Sequence, residues 1–179
     1  MWSNVVLFVF LTAAAAGASW LLSRMLGGGR FSPGRIGGVP ELDARDDFDR
    51  ALSVHYRRRI VARLHGAVKD LSLPVLAAAP VDRLNRRDRG EALIPLQRVV
   101  GTVDGTNRLF DKDFRPTGQR ARHRLESVLV ARRRGTALPP IDVVGLNGLY
   151  YVSDGHHRVA AAQALRDDYI AARITDVVV

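Results

Sequence analysis

The 179-residue chain has no cysteine. That absence excludes disulfides, thiolate metal centres and cysteine nucleophiles in one step. Lysine is almost missing too: Lys69 and Lys112 stand against 25 arginines. No lysine or arginine precedes Arg24, whereas a secretory leader wants a basic start. No cluster of carboxylates suits a two-metal nuclease centre. No third ligand is spaced to join the adjacent His156 and His157 on one ion, so no metal site is expected.

What the beginning does contain is an apolar run. From Val5 to Leu22 only Thr12 and Ser19 carry polar side chains. About 20 apolar residues span a bilayer as a helix, and Trp2 and Trp20 suit its interfaces. Arg24, Arg30 and Arg35 all follow the run, which by the positive-inside rule places the remainder in the cytoplasm. We read residues 1–26 as an N-terminal transmembrane anchor with its start outside. The rival is a signal peptide cleaved at Ala16-Gly17-Ala18, which would make the protein secreted. A buried soluble helix is the third reading. Residues 27–40 are a Gly/Pro-rich linker with Gly27-Gly28-Gly29, Ser32-Pro33-Gly34 and Gly37-Gly38. Its Arg30 and Arg35 lie within reach of anionic headgroups.

The formal net charge of +9 is unevenly spread. Residues 83–135 carry +8, while residues 136–179 carry −2. A basic stretch beside a nearly neutral half suits nucleic acid, anionic lipid or a polyphosphate ligand. The plainer reading is a solvated surface in an arginine-biased composition.

Residues 41–92 read as a helical region. Leu42, Phe48, Leu52, Tyr56, Ile60 and Leu64 recur at helical spacing, which predicts one amphipathic helix from Glu41 to Val68. Acidic residues gather at its start and arginines at its end, as the helix dipole favours. This helix is expected to pack on the domain or on a second copy in a homodimer. His55 and His65 stand ten apart, too far along the axis to share a metal, and read as packing or surface histidines. Residues 73–81, with Pro74 and Pro80, suit a short helix or an extended arm. Residues 82–90 read as a turn or short helix, and a strand is expected from near Leu93. Thr117 is the candidate cap of a second helix, with Leu125, Val128 and Leu129 inward and Gly135 as its stop. Arg120, Arg122, Arg124 and Arg132 to Arg134 make that helix the most basic element, and His123 on it is expected to be exposed.

The stretch from Leu138 to Arg166 organises the rest. Pro139-Pro140 favour an extended backbone. Ile141 to Val144 read as a buried strand, Asn147-Gly148 as a hairpin turn and Tyr150-Tyr151-Val152 as the return strand. Asp154-Gly155-His156-His157-Arg158 then lead into a helix from Val159 to Leu165. A glycine at a strand-to-helix junction lets backbone approach a ligand, and the free amides of the first helical turn favour an anion. Two imidazoles and a guanidinium add donors suited to phosphate. This is a candidate phosphate-binding turn. Gly155 permits the turn, and Arg158 and His157 are the phosphate donors. Asp154 is placed to orient a histidine, hold Mg²⁺ through water or act as a base. The bland alternative has Asp154 capping the helix while the histidines pack nearby.

Pro-Pro-Ile-Asp-Val at 139–143, the hairpin, Gly-His-His-Arg at 155–158 and a small-residue helix closing on Ile170-Ala171-Ala172-Arg173 together resemble the ParB/sulfiredoxin-like domain. The resemblance runs from Ile94 to Val179 and implies an α+β fold: a small mixed-sheet domain over residues 93–179 with flanking helices. In sulfiredoxins the turn reads Gly-Cys-His-Arg and holds the phosphates of ATP; in ParB partition proteins it reads Gly-Glu-Arg-Arg within a CTP site. His156 stands where sulfiredoxin has its reactive cysteine, so that chemistry is excluded and His156 is left to tune the reaction. Arg108 matches the arginine that follows the opening strand and reaches the ligand. The resemblance thus implies a nucleoside triphosphate, ATP or CTP, with Mg²⁺. Arg108, Gly155, His157 and Arg158 would bind it, and Asp154 and His156 would be the catalytic candidates. Nucleotide hydrolysis, phosphate transfer to a small molecule and nucleotide-gated switching are the activities open to it. The alternative is a DNA-associated protein that meets nucleic acid nonspecifically through the basic helix, since no helix-turn-helix follows the last expected strand. A scaffold with a decayed pocket is the third possibility.

Overall fold

The computed structural model describes residues 38–66, 71–76, 85–105 and 107–178. Pro40 opens the first helix, α1 (Pro40–Leu64), where a missing N–H costs nothing, and Glu41 and Asp43 lie in its first turn. Its buried ridge is Asp43, Ala44, Asp47, Phe48, Leu52 and His55. The expected apolar stripe is therefore corrected at its start and in its second half. Phe48 and Leu52 enter the core, while Leu42, Tyr56, Ile60 and Leu64 face solvent. The reason is electrostatic. Arg133 reaches the buried carboxylates of Asp43 and Asp47, and this rotates the helix toward its acidic side.

The first strand, β1 (Asn85–Pro95), begins eight residues before Leu93. Sequence reading takes 82–90 for a turn because Arg86, Arg87, Asp88 and Arg89 are all exposed and show no alternation. A sheet edge carries such charged strands without loss, since the charges discourage pairing with other chains. A 3₁₀ turn at Leu96–Arg98 leads to β2 (Val99–Thr102), and a second one at Gln119–Ala121 leads to α2 (Arg122–Arg133). Thr117 does not cap α2: its hydroxyl donates to the Arg108 carbonyl at 2.7 Å, and the helix has no side-chain cap. Gly135, at φ 73°, does end it, with the Thr136 amide reaching back to the Ala131 carbonyl at 2.9 Å.

The hairpin of β3 (Ile141–Leu146) and β4 (Leu149–Asp154) turns on Asn147 and Gly148, both at positive φ as a type I′ turn requires. After it come α3 (His156–Leu165) and β5 (Tyr169–Val178). The five strands form one mixed sheet in the order β1-β5-β3-β4-β2. β1 and β5 are antiparallel, as are β3 and β4, while β3 with β5 and β2 with β4 are parallel. The chain thus has a mixed α+β fold, as expected. Ile94, Ile141, Val143, Val152, Ala172 and Ile174 point from the sheet into the core, where they meet Leu125, Leu129 and the alanine-rich side of α3. Residues 71–76 extend along β2, with the Leu76 amide on the Thr102 carbonyl and the Thr102 amide on the Pro74 carbonyl, both at 2.8 Å. Among the described residues no helix is long and apolar enough to cross a membrane. The anchor expected at residues 1–26 lies outside them.

Candidate functional site

Gly155 sits between β4 and α3 in the left-handed region, at φ 99° and ψ 19°. That conformation lets the chain pass straight from strand to helix, and it leaves α3 without a side-chain cap. The Gly155 carbonyl accepts from the amides of Arg158 and Val159. The amides of His156 and His157 have no acceptor among the described residues. Two unclaimed N–H groups at the positive end of a helix favour an anion.

The side chains of the turn divide. Arg158 folds back over it: Nη1 donates to the carbonyls of Pro139 and Pro140, each at 2.9 Å, and Nη2 to Asp154 Oδ2 at 2.6 Å. A Cβ on Gly155 would lie 3.0 Å from both Nε and Nη2 of that guanidinium. It would lie closer still, 2.6 Å, to Cγ2 of the buried Ile141, so the glycine is required by its positive φ and by β3 before any ligand arrives. Nε and one hydrogen of Nη2 remain without an acceptor among the described residues. Asp154 is the exposed member, with 73% of its side chain accessible.

His156 turns into the core. Its Nε2 lies 2.8 Å from the hydroxyl of Thr102, which is fully buried and also meets the Val152 carbonyl and the Asp104 amide. In either tautomer Nε2 is committed to Thr102, so only Nδ1 is left for other chemistry. The ring stacks parallel to Phe110 with centroids 6.5 Å apart and tilts against Phe114 at 6.3 Å. Burial lowers its pKa, with the Asp104 and Asp154 carboxylates opposing. The shift favours the uncharged imidazole.

His157 is half-buried and meets Phe110 edge-on at 5.0 Å. Burial lowers its pKa first, then the charges of Arg124 and His156, while Asp154 opposes. Neither ring nitrogen has a hydrogen bond among the described residues, so this neutral imidazole is free to donate or accept.

The loop that carries the two phenylalanines is built on Asp111, itself 1% exposed. One carboxylate oxygen accepts from the amides of Asp113 and Arg115, and the other meets His55 Nδ1 at 2.9 Å. Through that contact α1 holds the loop against both site histidines. Arg108, two residues before Phe110, is exposed. The structure therefore gathers Asp154, Gly155, His157 and Arg158 at the turn, sends His156 inward and leaves Arg108 on the neighbouring loop. Sequence reasoning misses Thr102, Phe110, Asp111 and Phe114. Nothing marks Thr102 in the sequence, because a threonine at a strand end is ordinary. The Asp111-Lys112-Asp113 run resembles a polar loop and conceals a buried hub.

Among the described residues no three histidines or carboxylates are placed to hold a metal ion. Most arginines of α2 and its C-terminal end pair with acids, though Arg132 and Arg134 remain exposed. Arg122 pairs with Asp49 and Glu126, Arg132 with Asp167, Arg133 with Asp43 and Asp47, and Arg134 with Glu41. Arg124 on α2 and Arg120 just before it have no carboxylate partner among the described residues. Much of the charge counted as a nucleic-acid face is therefore neutralised within the fold. His123 is exposed, as expected, and lines an open groove of about 430 Å³ between α1 and α2 that includes no residue of the turn.

No family model matches the sequence, and no curated protein does either. Among solved structures the chain is similar to the crystal structure of sulfiredoxin from Arabidopsis thaliana, at 23% identity and a TM-score of 0.36, over 47% of this chain and 82% of that one. At that TM-score the likeness assigns neither a ligand nor an activity.

Proposed function

We propose that the Gly155 turn binds a phosphate group of a nucleotide. The observation that carries this reading is the pair of unclaimed amides at His156 and His157, presented by a left-handed glycine on an uncapped helix. They take the phosphate oxygens, His157 adds a neutral N–H, and Arg158 adds the hydrogens it does not give to Pro139, Pro140 and Asp154. Asp154 is the group that the phosphate displaces. Its carboxylate already sits on the Arg158 Nη2 that an anion would seek, and it is exposed enough to swing away. Once released, Asp154 is the carboxylate that would hold Mg²⁺ through water against the nucleotide. Arg108 supplies a second cation from the neighbouring loop. His156 is a positioning residue: Thr102, Phe110 and Phe114 fix its ring, and the ring fixes the first turn of α3.

The test is a titration of the full chain with inorganic phosphate, ATP and CTP, with and without Mg²⁺, read by the amide resonances of His156 and His157. The expected result is a saturable shift of both amides. Without Mg²⁺, Asp154→Asn should tighten binding by up to about fivefold, because an exposed ion pair worth at most about 1 kcal/mol no longer competes; with Mg²⁺ that gain should be lost, since the carboxylate that would hold the ion is gone. If none of these phosphates moves the two amides, the turn is not an anion site.

A further inference from the structure

The second half of α1 carries a surface that the fold leaves uncovered. Tyr56 is 46% exposed, Ile60 60% and Leu64 80%. Residues four apart on a helix lie within roughly 40° of each other, so the three form one stripe about 80° wide. The side buried in the domain, with Ala44, Phe48 and His55, is roughly opposite. Arg57 flanks the stripe on one side, Arg63 and then Arg59 on the other, and all three are exposed. Arg57 bonds only Ser53 of its own helix, and none of the three meets a carboxylate among the described residues. From Ser53 to Gly66 the sequence has no acidic residue at all.

We infer that this face of α1 docks on an anionic lipid bilayer, with Tyr56, Ile60 and Leu64 in the headgroup–acyl boundary and the arginines on lipid phosphates. Charge decides the occupant. A second copy laid on this face would set three arginines against three. A nucleic acid would engage the arginines and leave Ile60 and Leu64 in water. A membrane interface accepts both halves of the pattern, and an aromatic ring with a hydroxyl suits its boundary. The upstream sequence gives a second argument. Its apolar run is long enough for a bilayer, and only residues 27–39 lie between residue 26 and Pro40. Thirteen residues reach at most about 45 Å. Tyr56 lies about 24 Å along α1 from Pro40, so a helix lying flat keeps both contacts on one surface.

The absence of cysteine makes a direct test possible. Nitroxide labels are placed singly on the full chain as Ile60→Cys, Leu64→Cys and, as a control, Gln163→Cys, which is exposed on α3. Vesicles are phosphatidylcholine alone or with about a third phosphatidylserine. With the anionic vesicles, labels 60 and 64 should become more accessible to oxygen than to a nickel chelate, while label 163 stays aqueous. Neutral vesicles, or the added changes Arg57→Glu, Arg59→Glu and Arg63→Glu, should return labels 60 and 64 to water. Aqueous labels on anionic vesicles overturn the inference, and so does equal burial in both lipids, since the arginines would then have no part. Spin–spin broadening at 60 that unlabelled protein dilutes away would assign the face to a second copy. Immobilisation by duplex DNA instead of vesicles would assign it to nucleic acid.

Discussion

Replacing Gly155 by alanine tests the turn from two directions. The backbone there holds φ 99°, a region in which an L-residue costs roughly 1–2 kcal/mol. The new carbon would also stand 2.6 Å from Ile141 Cγ2 and 3.0 Å from the Arg158 guanidinium. Arg158 is the movable neighbour, though moving it loosens its bonds to the Pro139 and Pro140 carbonyls. Ile141 is fully buried at the start of β3, paired with Ala172 of β5, and has nowhere to retreat. Overpacking of this kind costs typically 1–3 kcal/mol. Strain and overpacking together give roughly 2–5 kcal/mol, a fall in Tm of roughly 4–20 °C for a domain of this size. The assay is a circular dichroism melt of the full chain, repeated for Gly155→Ala in an Ile141→Ala background. Removing Ile141's outer carbons should cut the cost of the alanine by about 1–3 kcal/mol while leaving the backbone strain in place. A melt within 2 °C of wild type would refute both the left-handed conformation and the contact with β3.

Arg133→Ala takes the shared cation from the carboxylates of Asp43 and Asp47, 4% and 0% exposed, while Arg50 stays on Asp47, and should cost about 1–3 kcal/mol in chemical denaturation. Asp43→Asn with Asp47→Asn in the same background should restore much of it. His156 and His157 both have folded-state pKa values below their unfolded ones, so the unfolded chain binds the extra protons. Stability should therefore be level above about pH 6.5 and fall as pH drops from there through the folded-state pKa values. Denaturant midpoints across that window, with His156→Gln removing part of the slope, check the sign.

The hairpin and the helix after it are legible in the sequence because their signals are local. Asn147-Gly148 can close a tight turn by itself, and the glycine of a strand-to-helix junction is visible from its neighbours. The second half of α1 is not legible, because helical periodicity says which residues share a face and not which face is buried. That choice rests on Arg133, 86 residues from Asp47. The turn is a mixed case. Its residues stand out in sequence, yet their directions depend on Thr102, Phe110 and the Pro139–Pro140 carbonyls, which approach only after folding. Hence Arg158, which reads as a free phosphate fork, is largely engaged by the backbone. His156, two residues before it, belongs to the core.

The pairing of β1 with β5 has a consequence for biosynthesis. β5 lies between β1 and β3, so no sheet connects the two until β5 has been made. About 74 residues separate the end of β1 from the start of β5, on the order of 4–15 s at usual rates of synthesis. Through that interval β1 waits with both edges bare, and its Arg86, Arg87 and Arg89 discourage neighbouring nascent chains from pairing with it. The hairpin and α3 can form in the meantime, since their contacts are close in sequence. The sheet itself is completed by a strand that enters between two others already made. A stalled or shortened chain that ends before Tyr169 would leave the parallel edge of β3 open, and with it Ile141, the residue against which the Gly155 turn is packed.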